Sequence, residues 1–175
     1  MICTVSRLWK LDRAIQRQIG RVESVLDLGA GIQPQRVLRA PTIRVDLWRR
    51  YRPDVLADLR TPLPFLDRAV DVVWCSDAIE HLEREEGIRL LAEMDRVARR
   101  GVVVRTPLGF CEHAAVDSPW EIDREQANPH QAHRSGWAPE DLLVPRGAAW
   151  VIPRQPEHPN EWYHAGWFAA WRPTS

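Results

Sequence analysis

Residues 25–31 read Val25-Leu26-Asp27-Leu28-Gly29-Ala30-Gly31, and nineteen residues after Asp27 a second apolar run closes on Asp46. A short strand rich in leucine and valine that runs into a glycine turn lets backbone N–H groups approach a ligand, because glycine carries no Cβ and tolerates φ > 0. An acid ending the next strand is placed to take ribose hydroxyls. Asp27 stands before the first glycine, where its charge would repel a pyrophosphate and suit a cationic ligand. The stretch points to a nucleotide-like ligand and to a strand-and-helix fold built around it.

Working outward, Leu8, Leu11, Ile15 and Ile19 recur at spacings of three and four, which predicts a helix that Gly20 ends. Strands are expected over 22–28, 42–47 and 55–59, with Pro41 and Pro53 punctuating the connections. The run Val70-Asp71-Val72-Val73-Trp74-Cys75 is the near-continuous apolar kind that a strand buried on both faces requires. A helix follows, with Ile88, Leu91, Met94 and Ala98 marking its face, Glu85/Arg89 and Asp95/Arg99 as i,i+4 pairs, and Gly101 as its end. Val102-Val103-Val104 is a fifth strand stopped by Pro107. Strand and helix in alternation imply right-handed crossovers and a parallel sheet covered on both sides, an α/β fold. The segment 106–136 has neither period, and loops of this length tend to be functional or mobile. Pro139-Glu140-Asp141 opens a short helix. Two strands follow over 148–152 and 162–171, the last with Tyr163, Ala165, Trp167, Ala169 and Trp171 on one face and Trp162, His164, Gly166, Phe168 and Ala170 on the other. Both faces are expected to be largely buried.

Bulk properties narrow the class. At 175 residues, 45% hydrophobic and 27% charged, the chain fits one globular domain and speaks against disorder and membrane classes. A formal net charge of zero argues against a protein held on nucleic acid by phosphate neutralisation alone. Two arginine clusters, Arg44/Arg49/Arg50/Arg52 and Arg96/Arg99/Arg100/Arg105, read as solvated faces with no function assigned. Of the 24 basic residues only Lys10 is a lysine, a bias spread over every segment. Cys3, Cys75 and Cys111 have neither zinc nor disulfide spacing, so free thiols in a reducing compartment are expected. No apolar stretch approaches membrane-span length and the N-terminus lacks a signal-peptide core, so the expected location is cytoplasmic. The oligomeric state is not specified by the sequence.

With the strands placed, four segments in order resemble class I S-adenosylmethionine-dependent methyltransferases, especially the small-domain group called type 11, over about residues 20–145. They are VLDLGAG, the IRVD that ends at Asp46, DVLADLRTPLPF, and VDVVWCSDAIEHL. The resemblance implies a Rossmann-like three-layer sandwich, with a seven-stranded mostly parallel sheet whose last strand is antiparallel. It also implies a single methyltransferase domain over 1–175, with a cofactor half at about 20–105 and a substrate-side loop and terminal strands at about 106–172. The implied cofactor is S-adenosylmethionine. Asp27, Gly29, Ala30 and Gly31 would line its methionine and ribose part, and Asp46 would hold the ribose hydroxyls. Leu47 would pack against adenine, Asp58 with Leu59 would read the adenine amino group, and Ser76 would meet the cofactor's other edge. The chain departs from the family at Gln33, which replaces a third glycine, at Pro34, which shortens the following helix, and at Val70, where phenylalanine is common.

Candidates for the chemistry lie at the exit of the fourth strand and in the long loop. Asp77, Glu80 and His81 share one face if the segment turns helically. His81 and His133 are the catalytic candidates, since a neutral imidazole suits proton removal near pH 7. The set Asp77, Glu80, His81 and His133 also resembles the metal-binding arrangement of small-RNA 3'-terminal 2'-O-methyltransferases, so a divalent metal and an RNA-end acceptor form the alternative to a small-molecule acceptor without metal. His113 and His130 have weaker claims, and His158 and His164 read as peripheral. Trp120 and Trp137 read as packing residues in preference to stacking platforms. Two other classes share parts of the pattern. A non-catalytic cofactor-binding subunit would account for Gln33. A nicotinamide-dependent oxidoreductase would share the strand, turn and acid, but lacks the third glycine and gives Asp58 no role.

Overall fold

Seven strands form one sheet: Val25–Leu28 (β1), Thr42–Asp46 (β2), Val55–Leu56 (β3), Val70–Ser76 (β4), Ala98–Pro107 (β5), Ala148–Ile152 (β6) and Trp167–Pro173 (β7). The computed structural model describes residues 13, 16–17, 20–32, 38–110, 112, 128–142, 148–152 and 167–174. The strand order is β3-β2-β1-β4-β5-β7-β6. β1 to β5 run parallel, and β7 is antiparallel to both β5 and β6. This is the expected mostly parallel, Rossmann-like α/β sandwich with its last strand reversed. The order runs outward from β1 in one direction and from β4 in the other, so the topological switch lies between β1 and β4. Ligand crevices open at the carboxyl ends of such a pair.

Alternation along the central strands divides the core in two. All seven residues of β4 are buried. Val73 and Cys75 join a cluster with Leu26, Leu28, Val102, Val104 and Ala170, whereas Val72 and Trp74 join Val22, Val25, Leu38, Val103 and Trp171 on the other face. Ala170 and Trp171, adjacent in β7, fall in different clusters, which supports the expectation of two buried faces there. The side chains at 162–169 that carried the rest of that expectation lie outside the description.

Helix α1, Arg84–Val97, covers the first face with Gly87, Leu90, Leu91, Met94 and Val97. Each of the four larger side chains contributes roughly 1.5–3 kcal/mol through burial. Glu86 reaches back to accept the Glu83 N–H at 3.0 Å, half of a capping box at the helix start. Two expectations are corrected here. Ile88 is exposed, so the buried stripe is shifted from the one predicted. The helix also ends at Val97, not at Gly101. Ala98 pairs with Val70 and Gly101 with Val72, and the register irregularity between Val70 and Val72 takes up the added residue. Strand pairing offers Ala98 to Arg100 backbone partners that a longer helix could not reach.

The first strand starts at Val25 and the third has only two residues, both shorter than predicted. Upstream, Arg13, Gln16 and Arg17 are helical, and Gly20 at φ 75° gives its N–H to the Gln16 carbonyl, a left-handed helix cap. Leu8, Leu11, Ile15 and Ile19 lie outside the described residues, as do Gln33, Pro34, Cys3 and Cys111. A short helix α2, Pro139–Leu142, forms as predicted and buries Leu142. Among the described residues no helix is long and apolar enough to cross a membrane.

Candidate active site

The glycine turn closes β1 at the switch point. Gly29 and Gly31 adopt φ 66° and 58°, a region costly for any residue with a Cβ. Gly29 is also a packing position, because an added Cβ would collide with the Cβ of Ala78 from the β4 exit. Among the described residues, nothing lies within 4 Å of where a Gly31 Cβ would be. The Gly29 and Ala30 N–H groups bond the Val45 carbonyl at 2.9 and 3.1 Å, and the Gly31 N–H bonds Asp46 Oδ2 at 3.0 Å. The turn's N–H groups are therefore directed into β2 and not toward a ligand, contrary to the simplest reading of the sequence. What the turn offers is a surface without Cβ atoms beside the Asp46 carboxylate.

Asp46 is buried, and each of its oxygens accepts one backbone bond, Oδ2 from Gly31 and Oδ1 from Trp48 at 2.7 Å. A carboxylate has about four acceptor positions, so capacity for two hydroxyl donors is left. Asp27 is buried in β1, in register with Arg44 of β2 and Trp74 of β4. Leu47 is half-buried beyond Asp46, and Leu59 packs on the first core cluster beside Asp58. Asp58 is clamped by Arg60, whose Nε lies 2.9 Å from Oδ1 and whose Nη2 lies 2.6 Å from Oδ2. That hydrogen bonding holds the Asp58 carboxyl below its ordinary range. Ser76 is buried at the end of β4 and donates to Asp77 Oδ2 at 3.2 Å.

The β4 exit does not turn helically from Asp77. Asp77 sits at φ 52° and Ala78 at φ −138°, and only Ile79–His81 forms a tight 3-10 turn. The common face expected for Asp77, Glu80 and His81 is thereby lost. Asp77 pairs with Arg105 Nη2 at 3.0 Å, and its N–H bonds the Arg105 carbonyl at 2.9 Å. Glu80, His81 and His133, by contrast, come together, with one ligand atom from each lying within 4.8 Å of the others. The imidazole centroids of His81 and His133 are 5.0 Å apart. His81 Nδ1 lies 3.3 Å from the Ala132 carbonyl, which can only accept, so this contact calls for a proton on Nδ1.

Glu80 is buried and accepts the Thr106 hydroxyl at 3.0 Å. Burial, reinforced by the nearby Asp77 charge, pushes its carboxyl up to about 8. Cys75, beneath it, is a buried thiol raised well above its ordinary value by desolvation and the surrounding carboxylates, which makes it inert.

The segment carrying His133 is tied down residue by residue. The Glu80 carbonyl accepts the N–H groups of Arg134 and Ser135 at 2.7 and 3.1 Å. Trp137 is buried against Gly87 and Ile79, and its Nε1 donates to Ser135 Oγ at 2.9 Å. Arg84 stacks 4.0 Å above the Trp137 ring and ion-pairs with Asp141. Trp137 is thus a packing residue, as expected; Trp120, His113, His158 and His164 lie outside the described residues.

Several participants escaped the sequence reading. Arg105, placed there on a solvated face, is buried against Asp77, because β5 is covered on both faces. Thr106 and Ser135 carried no separate signal. Trp48 follows Leu47 directly, and its ring meets that of His130 edge-on at 6.1 Å, joining the end of β2 to the chain that follows β5.

Residues 27–105 match the family described as a methyltransferase domain. No match was found among curated protein sequences. Among solved structures, a SAM-dependent methyltransferase from Archaeoglobus fulgidus aligns at 16% identity and TM-score 0.59, covering 95% of this chain and 94% of that one. A SAM-dependent methyltransferase from Mesorhizobium loti aligns at 17% identity and TM-score 0.56, over 94% and 96% of the two chains. A chain in the complex between the Haloferax volcanii Trm112 methyltransferase activator and a methyltransferase aligns at 17% identity and TM-score 0.54, over 95% and 89%. At these identities the likeness is one of fold.

Proposed function

We propose that this chain, whose residues 27–105 match a methyltransferase domain, is a class I S-adenosylmethionine-dependent methyltransferase, a cytoplasmic enzyme that methylates a small or medium organic acceptor bearing a titratable proton. The observation that carries this reading is the seating of Ala78 on Gly29, which sets the turn that carries His81 beside the glycine turn and so supports a base next to the cofactor.

The residues present fit the cofactor. Asp46 keeps acceptor capacity for two ribose hydroxyls, and the open space over Gly31 is a cradle that a Cβ would fill. Asp27 puts negative charge near a sulfonium. Asp58, although clamped by Arg60, retains lone pairs for an amino donor, and Leu47, Leu59 and Ser76 are assigned with it to the cofactor's adenine and outer edge. When bound, S-adenosylmethionine supplies an electrophilic methyl group on a good leaving group, so alignment of the acceptor accounts for most of the acceleration. In this reading His81 removes the acceptor's proton, and His133 beside it shares or relays that proton. General-base catalysis of this kind contributes about 10²–10⁴-fold.

His81→Ala is therefore expected to lower transfer by about that factor while leaving S-adenosylhomocysteine affinity, measured by calorimetry, within about twofold. Equal loss of binding and turnover would mean that His81 is structural. The acceptor itself is sought with labelled S-adenosylmethionine in a cell lysate, and cofactor binding without turnover on any acceptor would point to a non-catalytic subunit.

A second reading rests on the convergence of Glu80, His81 and His133. A divalent ion there would acidify a hydroxyl nucleophile, as an RNA-end 2'-O-methyltransferase would need. Asp77, the fourth ligand of the expected set, is turned into Arg105. Turnover insensitive to a chelator would remove this reading.

A further inference from the structure

The chain that follows β5 returns to the sheet at two places. At the first, the exposed His130 meets Trp48 edge-on, with ring centroids 6.1 Å apart, just past the end of β2 at Asp46. The His130 charge also acts on Asp58, just past β3, whose carboxyl is held below its ordinary range chiefly by the Arg60 hydrogen bonds. Buried Asn128 sets the approach, since its Oδ1 accepts the His130 N–H at 3.0 Å. At the second place, beyond β4, the Ala132 carbonyl lies 3.3 Å from His81 Nδ1, and the Arg134 and Ser135 N–H groups donate to the Glu80 carbonyl. β1 stands between β2 and β4 and runs parallel to both. The two anchors are therefore at the same edge of the sheet, on opposite sides of the glycine turn. β2 and β4 are roughly 10 Å apart, and the stretch from His130 to Arg134 can extend to about 14 Å, enough to bridge them. Among the described residues, none enters the space within 4 Å of a Gly31 Cβ, so the bridge does not fill the place beside the turn.

We propose that residues 130–134 are a strap across the cofactor crevice, in which His130 is a further cofactor-binding residue that closes over the adenine end. The inference deepens the methyltransferase reading above and rests on it. One end of the strap meets Trp48 and faces Asp58, beside the Leu47 and Asp58 assigned to adenine. The other end is docked on His81, assigned to the acceptor's proton. A cofactor laid from Asp58 past Asp46 to the glycine turn has its adenine under His130 and its methyl group toward His133. The two anchors also differ in kind. The one beyond β4 is built from backbone hydrogen bonds, whereas the contact at Trp48 is ring against ring with an exposed imidazole. The weaker end is the one that opens. Cofactor exchange therefore proceeds by parting His130 from Trp48, while His133 stays beside His81.

The test is the release of labelled S-adenosylhomocysteine from the full chain, followed by displacement with excess unlabelled compound. His130→Ala is expected to speed release about fivefold and to weaken affinity to match, the worth of one edge-on ring pair. 5'-Methylthioadenosine, which lacks the amino-acid end of the cofactor, is expected to lose affinity by the same factor, because the contact is at the adenine end. His130→Phe keeps a ring against Trp48 and is expected to restore slow release. The unliganded His130→Ala chain is expected to melt with the parent, since His130 is exposed. A loss for S-adenosylhomocysteine that 5'-methylthioadenosine does not share, or one that His130→Phe does not restore, overturns the proposal. A fall in unliganded stability with release unchanged marks His130 as structural and overturns it too. If the parent chain does not bind S-adenosylhomocysteine, the methyltransferase reading falls and the strap with it; binding whose release ignores His130→Ala brings down the strap alone.

Discussion

The glycine turn after β1 and the histidine turn after β4 are neighbours in space, yet they are held by different kinds of contact. At the glycine turn, the fixing bonds among the described residues go to β2, to Arg44, Val45 and Asp46. At the histidine turn, the fixing bonds come from Arg134, Ser135 and Ala132, more than fifty residues downstream. Backbone geometry builds the first, and the docking of a distant segment on a buried tryptophan builds the second. The build of the proposed cofactor side should tolerate changes to the loop, whereas that of the proposed acceptor side should depend on its packing.

The severest test of that contrast is Trp137→Ala. Removing a fully buried indole from between Gly87 and Ile79 is expected to cost about 3–5 kcal/mol in chemical denaturation, with His133 released and turnover lost. A loss under about 1 kcal/mol would show that the segment is not anchored by its tryptophan. Next comes the pair Gly29→Ala and Gly31→Ala. The first must adopt φ 66° and displace Ala78, for a combined cost of roughly 2–4 kcal/mol. The second meets no atom of the described residues and should cost only about 1–2 kcal/mol of stability, while, on the proposed reading, obstructing the cofactor. Similar stability losses for the two would refute the packing role given to Gly29.

Asp46→Ala is expected to weaken S-adenosylhomocysteine binding by about 1.5–3 kcal/mol, the worth of hydrogen bonds to a charged group, with the Gly31 and Trp48 N–H groups also losing their partner. Unchanged affinity in calorimetry would remove Asp46 from the site. The subtlest effect is in pH. Glu80 titrates near 8 in the fold against an ordinary 4.5, so the folded state holds a proton that the unfolded chain has lost between those values. Glu80's own contribution to stability should therefore be full below about pH 4.5 and fall as pH rises toward 8. With a chelator present, denaturation of Glu80→Gln should lose that decline, and an unaltered pH profile would mean that Glu80 is not the group responsible.

Much of the glycine-turn side of the fold was legible because its signals are local. Asp27, Gly29, Gly31 and Asp46 occupy strand ends, and strand ends follow from apolar runs and glycines. Where the reading failed, the missing information was non-local. Arg105 looked solvated because a run of valines with one arginine does not reveal that β5 would be covered on both faces. Asp77 looked like a partner of Glu80 because i,i+3 and i,i+4 spacing aligns side chains only in a helix, and the backbone instead turned left-handed at Asp77. Gly101 looked like a helix stop because composition does not show that Val70 would pair with Ala98. Trp48 gave no signal until His130 came to its edge.

By itself the sequence determined the α/β alternation, the buried β4, the glycine turn and the acid after β2, because hydrophobic periodicity and the freedom of glycine act over a few residues. Only the tertiary structure decided that the turn's N–H groups face β2, that His133 reaches His81 while Asp77 does not, and that His130 meets the edge of Trp48. Those outcomes depend on which distant segments compete best for the same buried hydrogen-bond partners, and that competition is settled when the chain closes on itself.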